Sequence, residues 1–111
     1  MTKENINIEL LNEIRDWLAV KHGLETYYTT DDRVAYAVFV AYNAYMVEDK
    51  SYNTSMEFLN DVLKLIPYKL AYPALERSIY RNLKKVFDDE YTDVKKSCIH
   101  LAKQFKEQKA V

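Results

Sequence analysis

The sequence predicts an all-α fold, a single-domain antiparallel bundle of about five helices, on three observations. The 111 residues include only one glycine and two prolines. Tight hairpins and phosphate-cradling loops need glycine for positive φ or close backbone approach, so this composition favours helices joined by short polar turns. Apolar residues recur at the three-and-four spacing of a helical face in successive segments, and capping or breaking residues flank those segments. With 49% hydrophobic and 30% charged residues, a chain of this length can bury one core, and neither disulfides nor a metal is needed to hold it.

The first helix is expected over 7–22. Leu10, Leu11, Ile14, Trp17 and Leu18 share a face, Asn7 suits the N-cap, and Lys21 and His22 precede Gly23 at a C-cap position. The second is expected over 31–48, opened by a capping box of Thr29 and Asp32. Its 14-residue stretch from Val34 to Val47 is broken only by Asn43. A helix apolar on nearly every face must be central, which predicts that Val38, Ala41, Tyr42 and Tyr45 are mostly inaccessible.

The third helix is expected over 55–66, with Thr54 and Glu57 as a second capping box. Met56, Leu59, Val62, Leu63 and Ile66 form its apolar face, and Pro67 stops it. Thr54 lies in an Asn53-Thr54-Ser55 glycosylation sequon, but capping is the reading that fits a non-secreted chain. Pro73 belongs in the first turn of the fourth helix, 73–87, whose stripe is Leu75, Ile79, Leu83 and Val86. The fifth, 91–106, follows the acidic turn Asp88-Asp89-Glu90 and buries Tyr91, Val94, Cys98, Leu101, Ala102 and Phe105. Its tail, from Lys106 onward, is expected to fray.

One cysteine and two histidines supply neither a disulfide nor a transition-metal set, so no cofactor and no metal site is expected. The N-terminal ten residues lack a signal peptide's apolar core, and 14 apolar residues fall short of the ~18–20 that span a bilayer. The expectation is therefore a cytoplasmic protein with no membrane span.

The pattern closest to a catalytic shape is Arg15 and His22, seven residues apart and hence on one face of the first helix. It resembles the Arg-spacer-His motif of HEPN-type ribonucleases, which are all-helical and of similar size. The resemblance implies that the pair would handle a ribose 2′-hydroxyl and the scissile phosphate. In that family the motif sits on a late helix, whereas here it is on the first. The expectation is that no residue is catalytic, with a HEPN-like ribonuclease as the second alternative function.

Charge is the stronger signal. The overall net charge of −1 conceals a net of −6 over residues 1–62 and +5 over residues 63–111. Arg77, Arg81, Lys84 and Lys85 lie opposite the fourth helix's stripe, and Lys95, Lys96, Lys103 and Lys106 lie away from most of the fifth's. If the two helices pair, these eight side chains make one basic face, suited to an acidic protein or a phosphate backbone. Tyr68 and Tyr72, two of ten tyrosines, are candidate aromatic contacts beside it.

In size, helix count and basic C-terminal half, the chain resembles small helical immunity and inhibitor proteins of bacteria and phages, such as bacteriocin immunity proteins. The resemblance implies a non-enzymatic inhibitor, immunity or regulatory factor that occupies a protein partner. A nucleic-acid-associated regulator is the first alternative, and a homodimer is compatible with the sequence.

Overall fold

In a computed structural model, residues 7–21, 29–66, 72–87 and 93–110 are described; for 29–32, 72–74, 85 and 86 the description covers the backbone alone. These residues form α1 (Ile8–Lys21), α2 (Thr29–Ala41) continuing into a π-helical turn (Tyr42–Val47), α3 (Ser55–Leu65), α4 (Tyr72–Phe87) and α5 (Val94–Lys109). The all-α bundle expected from the sequence is the fold observed.

The apolarity of α2 decides the layout. Val34, Ala35, Ala37, Val38, Phe39, Val40 and Ala41 are all buried, and α2 packs against each of the other four helices. Its alanines let those neighbours approach on several sides at once. Into this centre α1 sends Ile14 and Leu18, α3 sends Phe58, Leu59 and Val62, α4 sends Leu75 and Ile79, and α5 sends Cys98, Leu101 and Phe105.

Tyr42 and Tyr45 depart from expectation: both are half-buried. The helix widens into its π turn at Tyr42, and the Asn43 side-chain amide donates to the Phe39 carbonyl at 3.2 Å. An asparagine that bonds its own backbone in this way competes with the regular ladder. The tyrosines turn partly outward here, with the Tyr42 ring edge-on to Phe105 and the Tyr45 hydroxyl accepting from the Tyr52 N–H. The turn closes through Glu48 N–H to the Asn43 carbonyl at 2.9 Å and Lys50 N–H to the Ala44 carbonyl at 2.5 Å. Asp49 takes the left-handed conformation (φ 54°) that this closure requires, which among non-glycine residues asparagine and aspartate tolerate best.

Local signals at the helix starts are mixed. Asn7 caps α1, its Oδ1 accepting from the Leu10 N–H at 3.0 Å, and Thr54 caps α3 by accepting from Glu57. Thr29 is already the first residue of α2 rather than a cap outside it. The expected C-cap at Gly23 lies outside the described residues. On α3, Met56 is exposed and Phe58 is fully buried in its stead. The buried stripe runs Phe58–Val62–Ile66 with Leu59 beside it, which puts Met56 on the flank.

The fifth helix starts three residues later than expected and ends three later. Asp93 is its cap, accepting from the N–H groups of Lys95 (2.9 Å) and Lys96 (3.3 Å), and the acidic turn 88–90 lies outside the described residues. Its last turn does not fray up to Lys109, because α1 holds it. Trp17 Nε1 donates to Gln108 Oε1 at 2.7 Å, and Lys109 pairs with Glu13 at 3.1 Å. Val86 and Tyr91 are expected core residues whose side chains are not described.

Ala41 has no exposed surface and is enclosed on α2 by the rest of the bundle. Ala41→Glu would bury a charge with no room for its hydration, a cost of several kcal/mol against a total stability of about 5–15 kcal/mol. Thermal denaturation followed by circular dichroism should show the variant largely unfolded at 25 °C.

Candidate functional site: a basic outer surface and an open groove

α4 turns Leu75, Ser78, Ile79, Asn82 and Leu83 inward, which leaves Arg77, Arg81 and Lys84 exposed at i, i+4 and i+7 on its outer side. On α5, Val94, Ser97, Cys98, Leu101, Ala102 and Phe105 face inward, and Lys96, Lys103 and Lys106 are exposed on the opposite side. The two helices pack against each other, so two basic strips ride on adjacent elements. Lys84 also reaches over the Tyr80 ring at 5.5 Å, and Glu107 stands one turn from Lys103 and tempers that strip.

Two expected members stand apart. Lys95 is half-buried and donates to the Tyr52 carbonyl at 3.2 Å, so it ties α5 to the turn before α3 instead of joining the outer strip. The Lys85 side chain is not described; Tyr68 lies outside the described residues, and Tyr72 opens α4 with its side chain undescribed.

Of the ribonuclease-like pair, only Arg15 is described. It is half-buried, and its guanidinium reaches Asn12 Oδ1 at 3.4 Å; His22 lies outside the described residues. His100 packs its ring against Phe87 with centroids 5.3 Å apart and meets the Gln104 side-chain amide at 3.0 Å. Cys98 is fully buried, and burial pushes its thiol well above the ordinary range, with the charge of Asp93 adding to the shift. A thiol so placed is a packing group and not a nucleophile.

Three features escaped the sequence. The first is a cluster around Asp61 on α3. The Tyr52 hydroxyl donates to its Oδ2 at 2.6 Å, Lys50 approaches the same oxygen at 3.3 Å, and Lys64 approaches Oδ1 at 3.1 Å. Partial burial alone would raise the Asp61 carboxyl, but the hydrogen bonds from Tyr52, Lys64 and Lys50 outweigh it and hold the group below its usual range. Burial, then the bond to Asp61, drives the Tyr52 phenol up, so it stays protonated at any physiological pH. The second feature is Arg33, a half-buried guanidinium near the start of α2 that donates to Ser78 Oγ at 3.2 Å and so links α2 to α4.

The third is an open groove of about 770 Å³ between α1 and α5. Trp17 and Phe105 meet edge-to-face across it with centroids 5.5 Å apart, and the Glu13–Lys109 pair closes one end. Val20 stands on its lip, 80% exposed, beside Lys21 and across from Gln104, whose buried Oε1 has no partner among the described residues. The apolar volume is ligand-sized, but its width and lack of enclosure suit side chains of a docked surface better than a small molecule. A valine near the end of α1 carries no such information in the sequence, because nothing local records how α1 and α5 sit against each other.

Among the described residues, no group of three histidine, cysteine, aspartate or glutamate side chains is placed to hold a metal ion. No described helix is long and apolar enough to cross a membrane. Fold and surface together define an all-α bundle whose distinctive features are surface features: two exposed basic strips and one apolar groove. Compared with known proteins, the chain matches no family model, no curated protein and no solved structure.

Asp93 does two jobs, capping α5 and accepting a 2.5 Å hydrogen bond from Ser55 Oγ at the head of α3. Burial pushes its carboxyl up, but the bonds from Ser55 and from the Lys96 and Lys95 N–H groups pull it further down, below the usual range. Asp93→Ala should cost about 1–2 kcal/mol, read as a lower urea midpoint at neutral pH. A depressed native carboxyl stabilises fully above the unfolded-state pKa, and that stability is lost as pH falls through the native value. The gap between parent and Asp93→Ala melting temperatures should therefore be largest near pH 7 and shrink progressively below about pH 4.

Proposed function

We propose that this protein is a non-enzymatic cytoplasmic binding protein that acts as an inhibitor, immunity or regulatory factor by occupying an acidic protein partner. The observation that carries this reading is the outward presentation of Arg77, Arg81 and Lys84 on α4 and of Lys96, Lys103 and Lys106 on α5 in a chain whose net charge is −1. Such segregation steers a partner of opposite charge and raises its rate of encounter.

Exposed apolar and aromatic surface beside these strips would add the desolvated contacts that charge alone does not supply. Tyr80, half-buried under Lys84, is one such group. The candidate contacts Tyr68 and Tyr72 belong to the same proposal. A nucleic-acid-associated regulator would use the same basic strips, but the −6 carried by residues 1–62 opposes a long polyanion. A protein partner presents its charge as a patch and avoids that repulsion.

A salt titration separates the two. With a protein partner, duplex DNA or RNA binding should be weak and vanish near ~0.15 M salt, where the Debye length is about 8 Å. A phosphate-binding face would instead give sub-micromolar duplex affinity at that salt, lost in an Arg77→Glu, Arg81→Glu double variant. It would also give a log–log salt slope of roughly −0.9 per phosphate contacted. That second result would replace the protein-partner reading.

The ribonuclease alternative has its own check. Incubated with mixed RNAs, the purified protein should leave them intact. Cleavage that disappears in His22→Ala while the fold is retained would make the protein an enzyme.

A further inference from the structure

We infer that the acidic partner is gripped on α4, where Arg77 and Arg81 take two of its carboxylates, one on each guanidinium, spaced about 6 Å apart along one segment. The inference rests on the protein-partner reading above and names the contact within it.

The chain's four arginines fall into two kinds. Arg15 and Arg33 are half-buried and engaged, the first with Asn12 Oδ1 at 3.4 Å and the second with Ser78 Oγ at 3.2 Å. Arg77 and Arg81 are exposed, and among the described residues neither has a hydrogen-bond, ion-pair or ring partner. They stand one turn apart, about 6 Å along the axis, and project from the same side of the helix.

Elsewhere on the surface, lysines are answered by acids. Lys50 and Lys64 share Asp61, Lys109 pairs with Glu13, and Lys103 has Glu107 one turn on. On α4 the one acid is Glu76, which adjoins Arg77 in sequence and so faces a different side. Arg77 and Arg81 at i, i+4, and Arg81 and Lys84 at i, i+3, are like-charge neighbours, and such pairs weaken a helix that has no anion beside them. The arrangement works against the fold alone and becomes favourable once an anion covers it.

Residue type narrows the anion. A guanidinium is a planar fork that meets a carboxylate through two parallel hydrogen bonds, whereas the α5 lysines are point charges. Two forks one turn apart match two carboxylates at the same spacing, which glutamates four residues apart on a helix present. Lys84, its ammonium 5.5 Å from the centre of the Tyr80 ring, continues the strip and sets partly apolar surface beside the forks. Phosphates suit the same forks, so duplex DNA forms one arm of the test.

The 15N-labelled full chain has one Nε–H signal for each of its four arginines, which makes the site directly visible by NMR. The probe is an alanine-based helical peptide with two glutamates four residues apart, titrated to about 5 mM at low salt, where exposed ion pairs are least screened. The Arg77 and Arg81 signals should shift together and saturate, while those of Arg15 and Arg33 stay in place. A peptide of the same composition with its glutamates two apart, on opposite sides of its helix, should bind at least about threefold more weakly.

An Arg77→Lys, Arg81→Lys double variant keeps the net charge and should melt at the parent temperature, since both side chains are exposed. It should nevertheless bind the first peptide at least about threefold more weakly, because an ammonium cannot replace the fork. A lysine variant that binds as well as the parent, or peptide shifts that bypass Arg77 and Arg81, overturns the inference and leaves an acidic partner in place. A peptide that moves no arginine signal overturns it as well. If duplex DNA at ~0.15 M salt moves the Arg77 and Arg81 signals while the peptide does not, the protein-partner reading falls with it.

Discussion

The structure depends on one constraint: from Val34 to Ala41, α2 has no face that water can solvate well. Of these eight consecutive side chains, seven are buried, and the exception, Tyr36, is half-buried. A helix with a single apolar stripe can lie on the surface of a bundle, whereas this one must be surrounded. The other helices therefore divide its circumference between them, and each needs only one apolar face of its own. That division explains why α1, α3, α4 and α5 are amphipathic, and why their outer faces are free to carry charge.

The periphery is held by polar contacts between elements that share little packing. Asp93 joins the heads of α3 and α5 through Ser55, and Lys95 reaches the Tyr52 carbonyl just upstream. Tyr52 in turn is fixed by Asp61, Tyr45 and the ring of Phe58. At the other side, α1 and α5 meet through Trp17, Gln108, Glu13 and Lys109. The surface pairs here are individually worth little, and exposed ones are screened by salt. At the α1–α5 seam they tie the two helices together at Trp17–Gln108 and Glu13–Lys109, beside the groove.

Function follows from what such a bundle leaves outside. Cys98 is spent on packing, and His100 is occupied with Phe87 and Gln104. Among the described residues, the features that face outward are surface features: basic side chains on α4 and α5, and an apolar groove with Val20 at its lip. These differ in character. Charge strips give steering and tolerate mismatched shapes, while an aromatic-floored groove demands a complementary side chain. In the proposed binding role, the strips would meet a partner electrostatically and the groove would select by shape.

The sequence by itself determined the fold class, the central place of α2, and the caps at Asn7 and Thr54, because periodicity and capping act over one or two turns. It also placed Arg77, Arg81, Lys84, Lys96, Lys103 and Lys106 outward, since a helical wheel separates polar from apolar within a single element. It misjudged Met56 against Phe58, where two candidate stripes differ by a fraction of a turn and only the neighbouring helices choose. It also missed the persistence of α5 to Lys109, which contacts with α1 impose. Lys95, the Asp61 cluster, Arg33 and the groove were decided by tertiary structure alone. Most join residues distant in the chain, Trp17 to Gln108 or Lys95 to Tyr52, while the Asp61 cluster depends on how the turn before α3 folds back on that helix, and no local pattern records either.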